Sequence, residues 1–497
     1  MGPAWRALSL AAGPLLALAS ALALPDIYTD PAGDPVALAP GARAVAAMTV
    51  WMAVWWITEP IPVYATAMLP LALFPLLGIA SAGATAAAYG DPLVFLFFGG
   101  FILALGLERW GLHERLALAV LRTVTPRPDR IVGAFMLVAA FLSLWVSNTA
   151  TTLMLLPVAQ SVLASVGPAG PGRSGSGPAP LASALVLGIA YAASIGGMGT
   201  VIGTAPNVFV ASFLRNQLQV DIGFLDWMLV ALPLVLLLLP AAWWVLTRVV
   251  LTVGTAPLPA AAATVARLSR GLGPLVPGAR RTAVVFVLAA VAWVMRPWVG
   301  GLAIGGVTPF AGVTDTTVAI AAALLLFVLP AGGSQRGALM DWETAARLPW
   351  GLLVLFGGGL SLAAALQASG FAAFLAAAGA GLGDLPPWLL VVLVTTGVVF
   401  LSEVASNAAT AATAVPILAA VASGMGMDPV PLVFAACFAA SCGFMLPVAT
   451  PPNAIAYGTG VVPARLMTRA GILLNLLGIL FISGLTWGII MPLGIFR

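Results

Sequence analysis

The chain reads as an all-α polytopic membrane protein with about 11 transmembrane helices plus two re-entrant hairpins, in two inverted-topology repeats. Three observations predict this. Of its 497 residues, 61% are hydrophobic and only 7% charged, against about 25% charged in a soluble domain. Apolar runs reaching the roughly 20 residues of a span recur from end to end. Two Ser–Asn motifs and two Thr–x–Pro–Asn motifs interrupt such runs, one of each in either half.

Hydropathy places spans at 7–25, 43–58, 61–80 and 92–107. The first looks like a signal peptide, but its apolar stretch runs to Leu24 and on into an acidic loop without a cleavage signature, so it reads as a retained helix. The stretch 108–126 carries Glu108, Arg109, Glu114, Arg115 and Arg122 among leucines, the pattern of a helix lying along the membrane surface. A charge-free stretch from Ile131 to Gly172 is too long for one span and is interrupted at Ser147–Asn148–Thr149. After a loop rich in Gly, Pro and Ser at 168–180 come a span at 181–214, broken near Gly203–Asn207, and another at 226–248. An arginine-rich linker without acids fills 251–281. The second half continues with spans at 282–299, 315–331 and 350–366, an interrupted stretch at 386–423, a broken helix at 430–460 and a last span at 471–491. The expected units are residues 1–91, the first repeat 92–250 with its hairpin 131–166, the linker 251–281, and the second repeat 282–497 with its hairpin 386–423.

Charge tests this layout. All twenty basic residues are arginine. With the N-terminus in the cytoplasm of a bacterial cell and both interrupted stretches returning to the side they entered, sixteen arginines fall inside. Only Arg43, Arg215, Arg296 and Arg497 fall outside, the bias that orients membrane proteins. Reading either stretch as an ordinary span inverts every later loop and destroys the bias. The net charge of +4 therefore records topology and is no nucleic-acid footprint. Cys437 and Cys442 lie in an apolar run and read as core thiols, and a lone histidine, His113, excludes a histidine metal cluster.

The halves match each other. At a constant shift of 259 residues, Phe97 meets Phe356, Gly99–Gly100 meets Gly358–Gly359, Ser143 meets Ser402, Ser147–Asn148 meets Ser406–Asn407, and Thr151 meets Thr410. Gly203–Asn207 meets Ala449–Asn453 at a shift of 246. The first hairpin opens to the cytoplasm and the second to the outside, so the copies are inverted. Secondary transporters built this way hold substrate at the repeat interface near the bilayer midplane.

The motifs can do matching chemistry. Non-helical backbone survives at membrane depth only when buried in protein or lining a cavity. A hairpin tip leaves carbonyl oxygens unpaired, and with Ser hydroxyls and Asn amide oxygens they suit sodium. The same break exposes the positive end of a half-helix, which favours anions. Pro206 and Pro451 explain the broken spans, since proline opens the hydrogen-bond ladder and frees carbonyls for an ion shell. No arginine lies in either motif, so an anion there requires bound cations for neutralisation. Glu403, beside the second tip, reads as a pin for the hairpin backbone, because Leu144 stands at the matching place; Glu59 reads as a helix-end or scaffold residue.

These residues resemble the divalent anion/sodium symporter family, which contains bacterial and animal dicarboxylate and citrate carriers. The resemblance covers nearly the whole chain and rests on Trp56–Pro62 (WITEPIP) with Leu69–Pro70, on Ser147–Asn148–Thr149, on Ser406–Asn407, and on Leu446–Ile455 (LPVATPPNAI). It implies sodium-coupled uptake of small dicarboxylates such as succinate, malate or fumarate, a homodimer held through a scaffold, and an elevator-like transport domain. By match to the family motifs, one sodium ion would be held by Ser143, Ser147, Asn148 and Gly203, and a second by Ser402, Ala405, Asn407 and Ala449. Substrate carboxylates would meet Ser147, Asn148, Thr149 and Thr204 on one side and Ser406, Asn407, Thr450 and Pro451 on the other. The chain departs from the doubled Ser–Asn–Thr pattern at Ala408 and has Ala205 where Pro451 stands in the other half. Citrate, an inorganic oxyanion such as sulfate, and sodium-independent exchange remain alternatives. The reading calls for no organic cofactor, no nucleic acid and no catalytic group, because an embedded enzyme would need paired acids or a Ser–His, Ser–Lys or His–Glu set that the sequence lacks.

Overall fold

The computed structural model describes residues 3–30, 32–166, 178–303, 306–333, 335–380 and 385–493. Most of the Gly/Pro/Ser-rich loop, with Arg173, Asp384 and Arg497, lies outside these residues. Among the described residues, nine helices are long and apolar enough to cross a membrane, and shorter apolar helices accompany them.

The first helix, Pro3–Ala23, packs along Pro40–Thr58. The expected span 61–80 is two pieces, Val63–Thr66 and Leu69–Leu76, because Pro70 enters the second at its first turn. Glu59 takes left-handed backbone (φ 45°) and closes the preceding helix by donating its N–H to the Trp55 carbonyl. Pro92–Arg109 follows, then Leu112–Thr123, whose buried Ala117, Leu118 and Leu121 form the apolar face expected of a surface-lying helix.

Both interrupted stretches are hairpins. In the first, Pro128–Ser143 turns through 144–147 into Asn148–Val166; in the second, Pro387–Ser402 turns into Asn407–Gly424. Each is followed by a broken span, Pro178–Gly197 with Ala205–Gln217 and Pro429–Ala440 with Pro451–Gly458. The half-helices cross over between repeats: Ala205–Gln217 packs on Asn407–Gly424, and Pro451–Gly458 packs on Asn148–Val166. The repeats are thus interlocked, and one polar centre draws on both.

Three expectations need correction. The breaks lie upstream of the prolines: helix stops after Gly197 and Ala440, and Pro206, Pro451 and Pro452 sit in the first turn of the next half-helix. A first-turn proline lacks an N–H that has no helical partner anyway, so it starts helices here and opens no ladder. The linker 251–281 contains an amphipathic helix, Pro259–Gly271, which starts on a proline and buries Ala261, Thr264 and Val265 on one face. Two short antiparallel strand pairs, Ile27–Thr29 with Pro35–Ala37 and Pro330–Gly332 with Gln335–Ala338, stand next to the spans where the reading places no strand.

Charge is placed economically. Asp129 is buried, and its carboxylate accepts from Arg248 (2.8 Å) and Arg127 (3.2 Å). Arg43 pairs with Asp26 (2.6 Å), Arg215 with Asp221 (3.8 Å) and Arg296 with Asp315 (2.6 Å).

Candidate substrate and cation site

The two tips and the two breaks meet in one cavity of about 170 Å³. From the first repeat it is lined by Ser147, Asn148, Thr149, Gly203, Thr204, Ala205 and Pro206, and from the second by Ser406, Asn407, Ala408, Ala449, Thr450, Pro451 and Pro452. A separate wall of Val63, Tyr64, Phe97, Leu352 and Leu355 closes it. Ser143, Ser402 and Ala405 lie buried behind the tips and do not line it.

Hydrogen bonds repeat across the pseudo-symmetry. Ser143 Oγ donates to Asn148 Oδ1 (2.8 Å), and Ser402 Oγ to Asn407 Oδ1 (2.9 Å). The Ala150 and Ala409 N–H groups donate to Ser147 Oγ and Ser406 Oγ, both at 3.3 Å, so each serine caps the outgoing limb of its hairpin. Behind the tips, Asn207 Nδ2 donates to the carbonyls of Gly197 (3.0 Å) and Thr200 (2.7 Å), while Asn453 Nδ2 donates to Gly443 and Leu446 (both 3.0 Å). These acceptors also correspond at the shift of 246. Two asparagines therefore hold open the breaks that sequence reasoning ascribed to proline.

The first break forms an oxygen-lined cradle. A Cβ at Gly203 would collide with the Gly197 carbonyl oxygen and stand 2.9 Å from that of Ser143. One at Gly197 would collide with Asn148 Oδ1 and stand 3.2 Å from the Gly203 carbonyl oxygen. Ser143, Asn148, Gly197 and Gly203 thus bring oxygens together around a space that only glycine leaves open, a donor set of the kind hard cations take. Gly197 is the member that sequence reasoning missed; the signal was its match with Gly443, whose added Cβ would lie 3.2 Å from the Ser402 carbonyl oxygen. Ala405 is buried in the second tip, and its N–H is spent on the Leu401 carbonyl (3.1 Å).

Four helices begin at the cavity: Asn148–Val166, Ala205–Gln217, Asn407–Gly424 and Pro451–Gly458. Each brings roughly half a positive charge from its aligned peptides. Among the described residues, no arginine and no acid lines the cavity. Neither Asn148 Nδ2 nor Asn407 Nδ2 has a protein acceptor among the described residues, which leaves both amides for a ligand.

Glu403 is 3% exposed and stands behind the second tip. Its Oε1 accepts from the N–H groups of Phe444 (2.8 Å) and Met445 (2.9 Å) and from Asn475 Nδ2 (2.7 Å), and its Oε2 from the Leu446 N–H (3.0 Å). This is the pinning role, with the second broken span as the pinned element. The first repeat does without an acid because Met198 and Gly199 donate their N–H groups within their own turn, to Ile195 (3.3 Å) and Gly196 (2.9 Å).

A family model described as the sodium:sulfate symporter transmembrane region matches residues 19–494. The chain belongs to the sodium:sulfate symporter family. Among curated relatives of this symporter, the sodium-dependent dicarboxylate transporter SdcS of Staphylococcus saprophyticus is 36% identical over 450 residues, 90% of this chain and 86% of the relative. SdcS of Staphylococcus aureus USA300 is 37% identical over 440 residues, 88% and 84% of the two chains. Among solved structures, the Alcanivorax borkumensis YdaH transporter superposes with a TM-score of 0.59 at 15% identity, covering 99% of this symporter and 97% of that chain, a likeness of fold.

Proposed function

We propose that this symporter carries small dicarboxylates of the succinate, malate and fumarate type inward across a bacterial inner membrane, coupled to sodium. One observation carries the reading: two mirrored hairpin tips and four helix N-termini enclose a cavity that has no fixed cation but has an oxygen cradle beside it. A doubly charged anion held there needs its neutralising charge delivered with it. Sodium at Ser143, Ser147, Asn148, Gly197 and Gly203, and a second ion at Ser402, Ala405, Asn407 and Ala449, would supply that charge. The carboxylates then meet the free N–H groups and hydroxyls of Ser147, Asn148, Thr149 and Thr204 on one side and of Ser406, Asn407 and Thr450 on the other, with Pro451 in van der Waals contact. Relatives named as sodium-dependent dicarboxylate transporters support both substrates.

The transport step we infer is elevator-like, in a homodimer with its N-termini in the cytoplasm. In this step the interlocked hairpins and broken spans would move together against the helices that carry the apolar wall, of which Trp350–Ala368 packs on Ala205–Gln217 and Asn407–Gly424. Ion pairing supports the orientation, because Arg43, Arg215 and Arg296, the described arginines assigned outside, are each matched by an aspartate on that side. The test is uptake of labelled succinate by proteoliposomes under an inward sodium gradient, then with potassium in its place. Sodium-dependent accumulation competed by malate and fumarate is expected. Uptake indifferent to sodium but driven by internal succinate would establish exchange instead, and competition by sulfate or citrate alone would overturn the substrate assignment.

A further inference from the structure

Away from the central cavity, a second concavity of about 280 Å³ lies where two helices absent from the transport site run antiparallel. The pair is clamped at both ends. Arg115 donates from Nη1 to the Gly273 carbonyl (3.0 Å) and from Nη2 to those of Leu272 (2.6 Å) and Pro274 (3.2 Å), capping Pro259–Gly271 from Leu112–Thr123. At the other end the Leu258 N–H donates to the Pro126 carbonyl (2.6 Å). Between the clamps, Leu121, Val124 and Pro126 face Ala261, Val265 and Ala266, and the floor is Ile131 and Val162 of the first hairpin. Small side chains on Pro259–Gly271 leave this space open.

The lining is apolar except for one cation, Arg122, which is exposed and has no acidic partner among the described residues. Arg267 and Arg270 follow Ala266 on the same helix, and the Arg130 guanidinium donates to Thr125 Oγ1 (2.7 Å). Asp129, two residues before Ile131 of the floor, is buried and occupied by Arg127 and Arg248. An apolar slot with Arg122 in its lining and Arg130, Arg267 and Arg270 close by in the chain, beside the helix whose sequence pattern is that of a surface-lying segment, matches an amphiphile with an anionic head. We infer that this slot binds one acyl chain of an anionic glycerophospholipid such as phosphatidylglycerol, with the phosphate against Arg122. The occupant touches both clamped helices and the first hairpin, so it ties the surface helices to the element that carries the first tip.

The test uses the full chain in phosphatidylcholine vesicles doped with phosphatidylglycerol bearing a photoreactive acyl chain, with labelled peptides mapped. Labelling concentrated on 121–131 and 259–266 is expected, competed by unlabelled phosphatidylglycerol but not by phosphatidylcholine or inorganic phosphate. Ala262→Trp should fill the slot and abolish this labelling, and Arg122→Gln should lower it about fivefold, the worth of one basic residue at an anionic surface. A melting curve checks that both variants are folded, and the surface substitution Arg122→Gln suffices if Ala262→Trp is not. Labelling spread evenly over the lipid-facing helices, equal labelling by a phosphatidylcholine probe, or competition by inorganic phosphate would each overturn the assignment.

Discussion

Replacing Glu403 by glutamine isolates the pin from its shape. The Glu403 carboxylate takes four donors, three of them the successive N–H groups of Phe444, Met445 and Leu446. A glutamine can keep its oxygen on the Oε1 side, where Phe444, Met445 and Asn475 donate, but its own N–H₂ then confronts the Leu446 N–H. One buried donor is left without an acceptor, at about 1–3 kcal/mol. The Leu446 carbonyl is also an anchor of Asn453, so the loss falls on the segment leading to Ala449 and the second cation position. If the sodium-free loop is free to relax, the whole penalty appears in binding, a sodium affinity about 5- to 150-fold weaker. Sodium activation of succinate uptake in proteoliposomes at clamped membrane potential reads this directly. Half-saturation should move to higher sodium and the Hill slope should fall, with maximal rate recovered at saturating sodium. Wild-type half-saturation and slope in Glu403→Gln would refute the reasoning.

Asn148→Ala and Asn407→Ala should each abolish gradient-driven uptake with the melting curve retained, since each removes a tip oxygen and the amide left for a carboxylate; normal sodium dependence in both would remove the site assignment. Gly197→Ala should push Asn148 Oδ1 away at an overpacking cost of about 1–3 kcal/mol, raising the sodium requirement, whereas Gly484→Ala, at a helical glycine with open space around it, should leave the requirement unchanged. Ala408→Thr restores the hydroxyl that Thr149 supplies opposite and should lower the apparent KM for succinate roughly tenfold, the worth of one hydrogen bond to a charged group. Arg296→Gln leaves Asp315, also bound by the Phe224 N–H (2.9 Å), as a buried carboxylate without its cation; a loss of about 3 kcal/mol should show as a lower melting temperature.

The hairpins were legible because Ser147–Asn148 and Ser406–Asn407 are polar interruptions in runs too long for one span, and because charge fixed the parity of the loops. The breaks in the later spans were legible as existing but misplaced. Pro206 and Pro451 are conspicuous in sequence, yet the backbone leaves the helix several residues earlier, where Asn207 and Asn453 offer its carbonyls a side-chain donor. Such a tertiary donor has no local signature. Pro259–Gly271 did carry local signals, a proline in its first turn and an amphipathic pattern with Ala261, Thr264 and Val265 on the buried face, but its arginines gave the segment the look of a linker. Glu403 was readable as a pin from its unmatched partner Leu144, though not the loop it holds.

The wall of Val63, Phe97, Leu352 and Leu355 that faces the tips has a mechanical consequence. Greasy contact is non-directional, so one register against such a surface is nearly as good as the next. In the elevator-like step proposed above, a cradle moving past this wall would break no bond to it, and the bonds to give up would be those from Ser212 (3.0 Å) and Asn216 (2.7 Å) to Asp91 at the start of the helix that carries Phe97. The fastening between the two sides would then be one carboxylate rather than the wall itself.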